Sequence, residues 1–258
     1  MKMDREISFA IIGGVGFLKN NGYEKMTISG TYGDVECFIG KTRGINFAFI
    51  PRHSISGPHI PPHRINYHAL ICAVKKLGVK QAIATNSVGS MRGHPTGSFF
   101  IPDDFIDFTK NRESTYFHDQ TVHVDMNQPY CPRLRKSLIS ALQENREDFF
   151  EGTYVCTEGP RFETKAEIKM MASFGDVVGM TGLPEVVLAR EMEICYASIC
   201  TVTNPACGMG NERLTTDEVI RVLKNREKVL FDLIVNSFFS MDEKRTCICR
   251  LAKDQACL

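Results

Sequence analysis

No apolar run in this 258-residue chain approaches the ~20 residues that a helix needs to cross a bilayer, so no membrane span is expected. Dense blocks of Lys or Arg are missing as well. The chain has 31 basic and 30 acidic residues, a formal net charge of +1. Without a basic stripe, nucleic acid and anionic membranes are poor partners. The opening MKMDREISFAIIGG mixes both charge signs before a short apolar run. It lacks the basic start, longer apolar stretch and small-residue cleavage site of a signal peptide, and a cytoplasmic chain is expected. Linkers and internal repeats are absent too. With 43% hydrophobic residues, one large α/β domain can bury a proper core.

Cysteine is the exception to this scarcity, with ten in the chain. Cys72, Cys156, Cys195 and Cys200 sit singly in apolar runs and read as buried small hydrophobes. Cys247 and Cys249 form a C-x-C near the end, tighter than usual zinc spacing and with no second Cys/His pair facing it in sequence. A frayed tail and a disulfide clamp both stay open. The expected division is a domain over 1–240 and a Cys-containing tail over 241–258.

Short β-like runs recur at 7–12, 35–39, 45–50, 81–85, 176–180 and 195–203. Helical patterns lie between them. Residues 63–77 follow Pro61-Pro62 and stop at Gly78. Two more helices read at 164–174 and 184–193. The last long helix starts at Thr215, with Glu218 three residues on as in a capping box. Strands alternating with helices predict a mostly parallel sheet covered on both faces. In such sheets ligands bind beyond the carboxyl ends of the strands. Five junctions therefore matter: Gly13 to Gly16, Arg52-His53, Thr85 to Gly89, Met180-Thr181, and Asn204.

Each junction has a chemical and a plain reading. IIGGVGF is a glycine turn that brings backbone N–H groups close to an anion, or a simple tight turn. The third glycine of a dinucleotide fingerprint is missing, since position 19 is Lys. IPRHSISGPHIPPHR gathers Arg52, His53, His59, His63 and Arg64, a fork for phosphate oxygens or a solvated basic loop. No Cys or carboxylate joins the cluster, which disfavours zinc. TNSVGSM adds a hydroxyl, Ser87, in a second anion-wrapping loop. In VCTEGPRFET, Phe162 could stack on a flat ring and Glu163 accept from its N–H. Alternatively Phe162 is core and Glu163 caps the helix that opens at Thr164. Asn204, at the tip of a buried-looking strand, offers one amide to a small molecule.

Together IIGGVG, RH with PPHRINYHA, TNSVGS, EGPRFET, VGMTGLPEVVLARE and VTN occur in the order and spacing of the trimeric purine nucleoside phosphorylase and 5′-methylthioadenosine phosphorylase family. The resemblance runs from about Ile7 to Phe238 and is nearest the methylthioinosine phosphorylase-like branch. It implies a single-domain α/β nucleoside phosphorylase fold with a mixed central sheet flanked by helices. It implies a purine-salvage pentosyltransferase that cleaves a nucleoside with inorganic phosphate as co-substrate, with no metal and no organic cofactor. Phosphate would lie against the turn at Val15 and against Arg52, His53, Ser87 and Thr181. Ribose would lie against Met180, and the base by Phe162, Glu163 and Asn204. His123 matches a histidine donated into a neighbour's 5′ pocket, which implies a homotrimer or a dimer of trimers. Two departures stand out. Val15 replaces the family's Thr or Ser, and the Arg52-to-Pro61 loop is one residue longer, leaving His59 without a role.

Base preference follows from hydrogen-bond chemistry. An Asn amide carries a donor and an acceptor, matching O6 and the N7–H of a departing 6-oxopurine. A 6-aminopurine offers donors, which suit Asp. Glu163 can accept from N1–H of hypoxanthine or guanine but would face a bare N1 on adenine. Thr216 stands where members that read a 5′-hydroxyl often carry His, which favours a methylthio substituent. Methylthioinosine is the expected substrate, with inosine and guanosine open. A methylthioadenosine phosphorylase is the alternative; a nucleosidase and a nicotinamide-dependent oxidoreductase are further rivals.

Overall fold

The computed structural model describes residues 6–14, 22–210, 214–241 and 245–257. Nine strands and five α-helices are found among them: β1 Ile7–Gly13, β2 Glu24–Gly30, β3 Gly33–Thr42, β4 Ile45–Pro51, α1 Tyr67–Lys76, β5 Gln81–Ser90, β6 Phe99–Phe108, α2 Pro132–Glu144, β7 Phe149–Thr157, α3 Lys165–Met171, β8 Val177–Gly179, α4 Glu185–Glu191, β9 Cys195–Pro205 and α5 Thr216–Phe239. The sheet order is β2-β3-β4-β1-β5-β8-β7-β6-β9, and β9 also pairs with β5. The last five strands therefore close on themselves, and β1 to β4 extend outward from β5.

The sheet is mixed. β1 runs parallel to β4 and β5, β5 to β9, and β7 to β6 and β8. The β2–β3, β3–β4, β5–β8 and β6–β9 pairs are antiparallel. Five of the nine pairings are parallel, so the sheet is mostly parallel but mixed, as expected from the sequence. The sequence pattern missed β2, whose exposure alternates at a sheet edge, and β6, where Pro102 and three aspartates obscure the strand. It also missed β7, whose first half is only partly buried and broken by Gly152, and the helix α2. α1 also starts later than its prolines suggest. Pro62–Arg64 is one 3₁₀ turn, and the α-helix is capped by Asn66, whose side chain accepts from the Ala69 N–H at 3.0 Å.

Two apolar clusters hold the layers together. On one face Ile71 and Val74 of α1 and Leu188 of α4 pack with Ile12, Ala84 and Val202 of the sheet. On the other, Leu138 of α2 and Leu233, Ile234 and Phe238 of α5 pack with Phe9, Ile83 and Ile199. Strand residues alternate between the faces as the pleat requires. Met241, Cys247 and Cys249 join the second cluster, and farther on Cys257 forms a β-bridge with Val122. No helix among the described residues is long and apolar enough to cross a membrane.

β1, β4, β5 and β9 are mutually parallel, so their carboxyl ends open on one side of the sheet. One irregularity there is consequential. β5 and β9 keep register as far as Val88 and Val202, but Gly89 then pairs with Asn204, skipping Thr203. This bulge re-aims the end of β9 beside the strand ends.

Candidate active site

The polar end of β4 is built around Arg52. Its backbone N–H donates to the Gly13 carbonyl at 2.8 Å, tying the ends of β4 and β1 together. Its guanidinium is buried. Nε donates to Glu185 Oε2 at 2.9 Å, Nη2 to Glu185 Oε1 at 2.8 Å, and Nη1 to the Thr85 carbonyl at 3.0 Å. Glu185, at the first turn of α4, also accepts from the Tyr196 hydroxyl at 2.7 Å. Burial alone would lower the Arg52 pKa; the Glu185 carboxylate reverses this and holds the proton more firmly than usual. Of the five guanidinium N–H groups three are engaged, which leaves one on each Nη for a further acceptor.

His53 places Nδ1 2.8 Å from the Ile60 carbonyl, so that nitrogen carries the proton. Burial pushes its pKa down to about 4, with Arg52 and His59 pushing the same way against the Ile60 carbonyl. The ring is therefore neutral at pH 7 and presents Nε2 as an acceptor. The exposed His59 ring stacks on it, with centroids 4.6 Å apart.

β5 contributes two adjacent residues with opposite duties. Ser87 is exposed although the residues on both sides of it are buried, so the strand borders open space there. Asn86 is buried. Its Nδ2 donates to Thr181 Oγ1 at 2.7 Å, and its Oδ1 accepts from Ser198 at 2.6 Å. β8 and β5 pair as Val178 with Gly89 and Val177 with Ser90; continuing that register sets Thr181 opposite Asn86. Because Asn86 donates to it, the Thr181 hydroxyl keeps its own proton for another acceptor.

Asn204 is buried and held at both ends of its amide. Oδ1 accepts from Thr203 Oγ1 at 2.7 Å, and Nδ2 donates to the Pro205 carbonyl at 2.8 Å. A carbonyl can only accept, so Pro205 decides which end of the amide is nitrogen. One N–H and one lone pair remain. Gly89 makes room for them: a Cβ there would come within 3.1 Å of Nδ2. Glu163 is also buried, and its Oε1 accepts from Thr157 Oγ1 at 2.5 Å. It does not cap the following helix; Thr164 does, in a reciprocal capping box with Glu167. Phe162 is 39% exposed rather than core. Gly159, with φ +66°, passes so close to Met180 that a Cβ there would lie 2.6 Å from its sulfur.

The sequence profile of the Phosphorylase superfamily matches residues 11–239, most of the chain. The chain belongs to that superfamily. Among its relatives, the probable S-methyl-5′-thioinosine phosphorylase of Methanosarcina acetivorans is 50% identical, over 99% of this chain and 100% of that one. The 6-oxopurine nucleoside phosphorylase of Pyrococcus furiosus is 43% identical, over 93% of this chain and 96% of that one. Among solved structures, a methylthioadenosine phosphorylase from an antarctic soil metagenomic library superposes with a TM-score of 0.88 at 32% identity, covering 98% of this chain and 93% of that one.

In this phosphorylase, then, β5 links three of the sequence-selected residues. Arg52 bonds the Thr85 carbonyl, Thr181 accepts from Asn86, and Asn204 pairs with Gly89, with Ser87 exposed between them. Glu163 reaches the end of β8 through Thr157, whose hydroxyl lies 3.5 Å from the Gly179 carbonyl, and Met180 follows at the end of β8. Two sequence-selected residues lie elsewhere. His123 is exposed in a separate hollow of about 720 Å³ that it shares with Val187 and Glu191, and its N–H donates to the Ala256 carbonyl at 2.8 Å. Thr216 is the exposed first residue of α5, next to the capping Thr215, which accepts from the Glu218 N–H at 3.3 Å. Val15 lies outside the described residues.

Sequence reasoning missed three supporting residues, Glu185, Asn86 and Arg112. The Arg112 guanidinium donates to the Met180 carbonyl at 2.7 Å, the Leu183 carbonyl at 2.6 Å and the Glu158 carbonyl at 2.6 Å. It thereby ties the loop after β7 to the loop after β8. Nothing local in FTKNRESTYF signals that role.

Proposed function

We propose that this phosphorylase cleaves 6-oxopurine nucleosides with inorganic phosphate, S-methyl-5′-thioinosine foremost, releasing hypoxanthine and 5-methylthioribose-1-phosphate. The observation that carries this reading is the Asn204 amide. Its orientation is set by Thr203 and Pro205, and it retains one donor and one acceptor. That pair matches O6 and the N7–H of a leaving 6-oxopurine. Glu163, with Oε2 available to a base N1–H, asks for the same tautomer. The names of the relatives from Methanosarcina acetivorans and Pyrococcus furiosus agree with it. A methylthioadenosine phosphorylase is the second reading, favoured by the name of the metagenomic structure that this fold superposes on.

Phosphate sits between the two remaining Arg52 N–H groups and the hydroxyls of Ser87 and Thr181. Neutral His53 adds an acceptor and so suits a phosphate oxygen that still carries a proton. The anion lies below the sugar, stabilises the positive charge that develops on the ribosyl ring, and is placed to attack C1′. The C1′–N9 bond breaks toward the base, C1′ bonds to a phosphate oxygen, and the purine takes up one proton at N7, balanced overall by the proton that hydrogen phosphate gives up. Asn204 stabilises the charge that the purine gains. Met180 packs against the sugar and Phe162 against the base. Phosphorolysis predicts a sharp result: omitting phosphate abolishes base release, and with phosphate each base is matched by one sugar-1-phosphate. Free ribose sugar made without phosphate would mark a hydrolase instead.

We place His123 in the 5′ pocket of a neighbouring subunit, in a homotrimer. Its exposure, away from its own chain's strand ends, supports this. His123→Ala is expected to raise KM for the nucleoside several-fold while light scattering still reports the trimer. A fully active monomer would remove the placement.

A further inference from the structure

Four cysteines from three distant parts of the chain meet at one point. Cys131 precedes α2, Cys195 begins β9, and Cys247 and Cys249 come from the tail. All four are buried, and their sulfurs all lie within 4.8 Å of one another. The C-x-C that had no partner pair in sequence is given one by the fold. The cluster lies at the amino end of β9, whereas Asn204 lies near the carboxyl end, so it is separate from the phosphorylase site.

We propose that Cys131, Cys195, Cys247 and Cys249 form a tetrathiolate site for a structural divalent zinc ion. Three features carry this. Zn–S bonds of about 2.3 Å place the sulfurs of a ZnS₄ tetrahedron about 3.8 Å apart, and these sulfurs already converge to near that spacing. Cys195 and Cys247 stand 3.3 Å apart, a separation that small shifts open to a tetrahedron edge. A four-way convergence is also more than one disulfide requires. Lastly, Arg245 aims Nε at Cys195 Sγ from 3.3 Å, while its Nη2 is held by the Glu193 carbonyl at 2.6 Å. A fixed guanidinium beside the sulfurs offsets the excess negative charge of four thiolates around one dication and orients a ligand. On binding, each thiol releases its proton to solvent and no electron is transferred. The ion would fasten the tail to the core ahead of the isolated β-bridge between Cys257 and Val122, the residue next to His123.

The test uses the full chain, expressed with zinc, purified under reducing conditions without chelator, and analysed by elemental mass spectrometry. One zinc per chain is expected. Exchange with Co²⁺ should give the sulfur-to-cobalt charge-transfer and tetrahedral d–d bands of a tetrathiolate. Cys249→Ser should weaken and shift those bands, and Cys257→Ser should leave them unchanged. The wild-type cobalt spectrum decides the matter if Cys249→Ser does not fold. Ten free thiols in denaturant with no stoichiometric uptake of Zn²⁺ or Co²⁺ by the folded protein would overturn the proposal. So would a thiol count four short of ten in metal-free protein, because the cluster would then be two disulfides. Failure on either count leaves the nucleoside assignment untouched.

Discussion

Asn204→Asp is expected to lower kcat/KM for methylthioinosine by roughly 5- to 150-fold, the equivalent of about 1–3 kcal/mol for an unpaired buried polar contact. The substitution keeps size and shape but converts the Nδ2 position to an acceptor. That oxygen then faces two others: O6 of the base, and the Pro205 carbonyl that Nδ2 contacts at 2.8 Å. Against a 6-aminopurine the first conflict becomes a hydrogen bond, and the second persists. The oxo/amino ratio should therefore swing toward methylthioadenosine, mostly through loss on the oxo side. Glu163→Ser added to Asn204→Asp should push the ratio further and more than additively if, as proposed, both residues contact one ring. Steady-state kinetics on both substrates, for wild type, each single variant and the double, supply the comparison. A ratio that moves less than about twofold in Asn204→Asp, well short of the 1.4 kcal/mol of a tenfold change, would mean that Asn204 does not read the base.

Arg52→Ala should be costly in two separable ways. It strands the fully buried Glu185 carboxylate, whose two oxygens Arg52 engages. Removing one partner of a buried ion pair destabilises by about 3–5 kcal/mol. For a chain of this size that is a fall in Tm of about 6–20 °C. It also removes the two N–H groups that phosphate would use, which should raise KM for phosphate. Replacing both partners with apolar residues, Arg52→Met with Glu185→Leu, should recover much of the stability, because no unpaired charge remains. Phosphate use should not return. Thermal denaturation and phosphate titrations of the single and double variants separate the two effects. Unchanged phosphate kinetics in Arg52→Ala, or restored phosphate binding in the double variant, would move the anion site elsewhere.

The sequence made some of this legible and hid the rest for physical reasons. β5 and β9 are read easily because both are buried in a closed sheet, which makes them continuous apolar runs that stop at polar residues. Asn204 could be singled out for that reason. The bulge at Thr203 that aims it could not, because register depends on a partner strand 115 positions away. Glu185 was visible only as an acidic residue after a proline, an ordinary helix start. Its bond to Arg52 spans 133 positions. β6 was hidden by Pro102 and its exposed aspartates, and α1 began where Asn66 could cap it rather than where the prolines stood. Local chemistry is written locally, but a buried partner is a property of the folded sheet. The cysteines make the same point, since C-x-C looks solitary until Cys131 and Cys195 arrive beside it.

The most direct test of the central claim is the ratio of kcat/KM for methylthioinosine to that for methylthioadenosine in the wild-type protein, measured at saturating phosphate. The account requires the oxo substrate to be preferred by at least tenfold, the factor that 1.4 kcal/mol of discrimination provides. Two residues, Asn204 and Glu163, each match the oxo tautomer and each oppose the amino one. Equal use of both substrates, or a preference for methylthioadenosine, would contradict it.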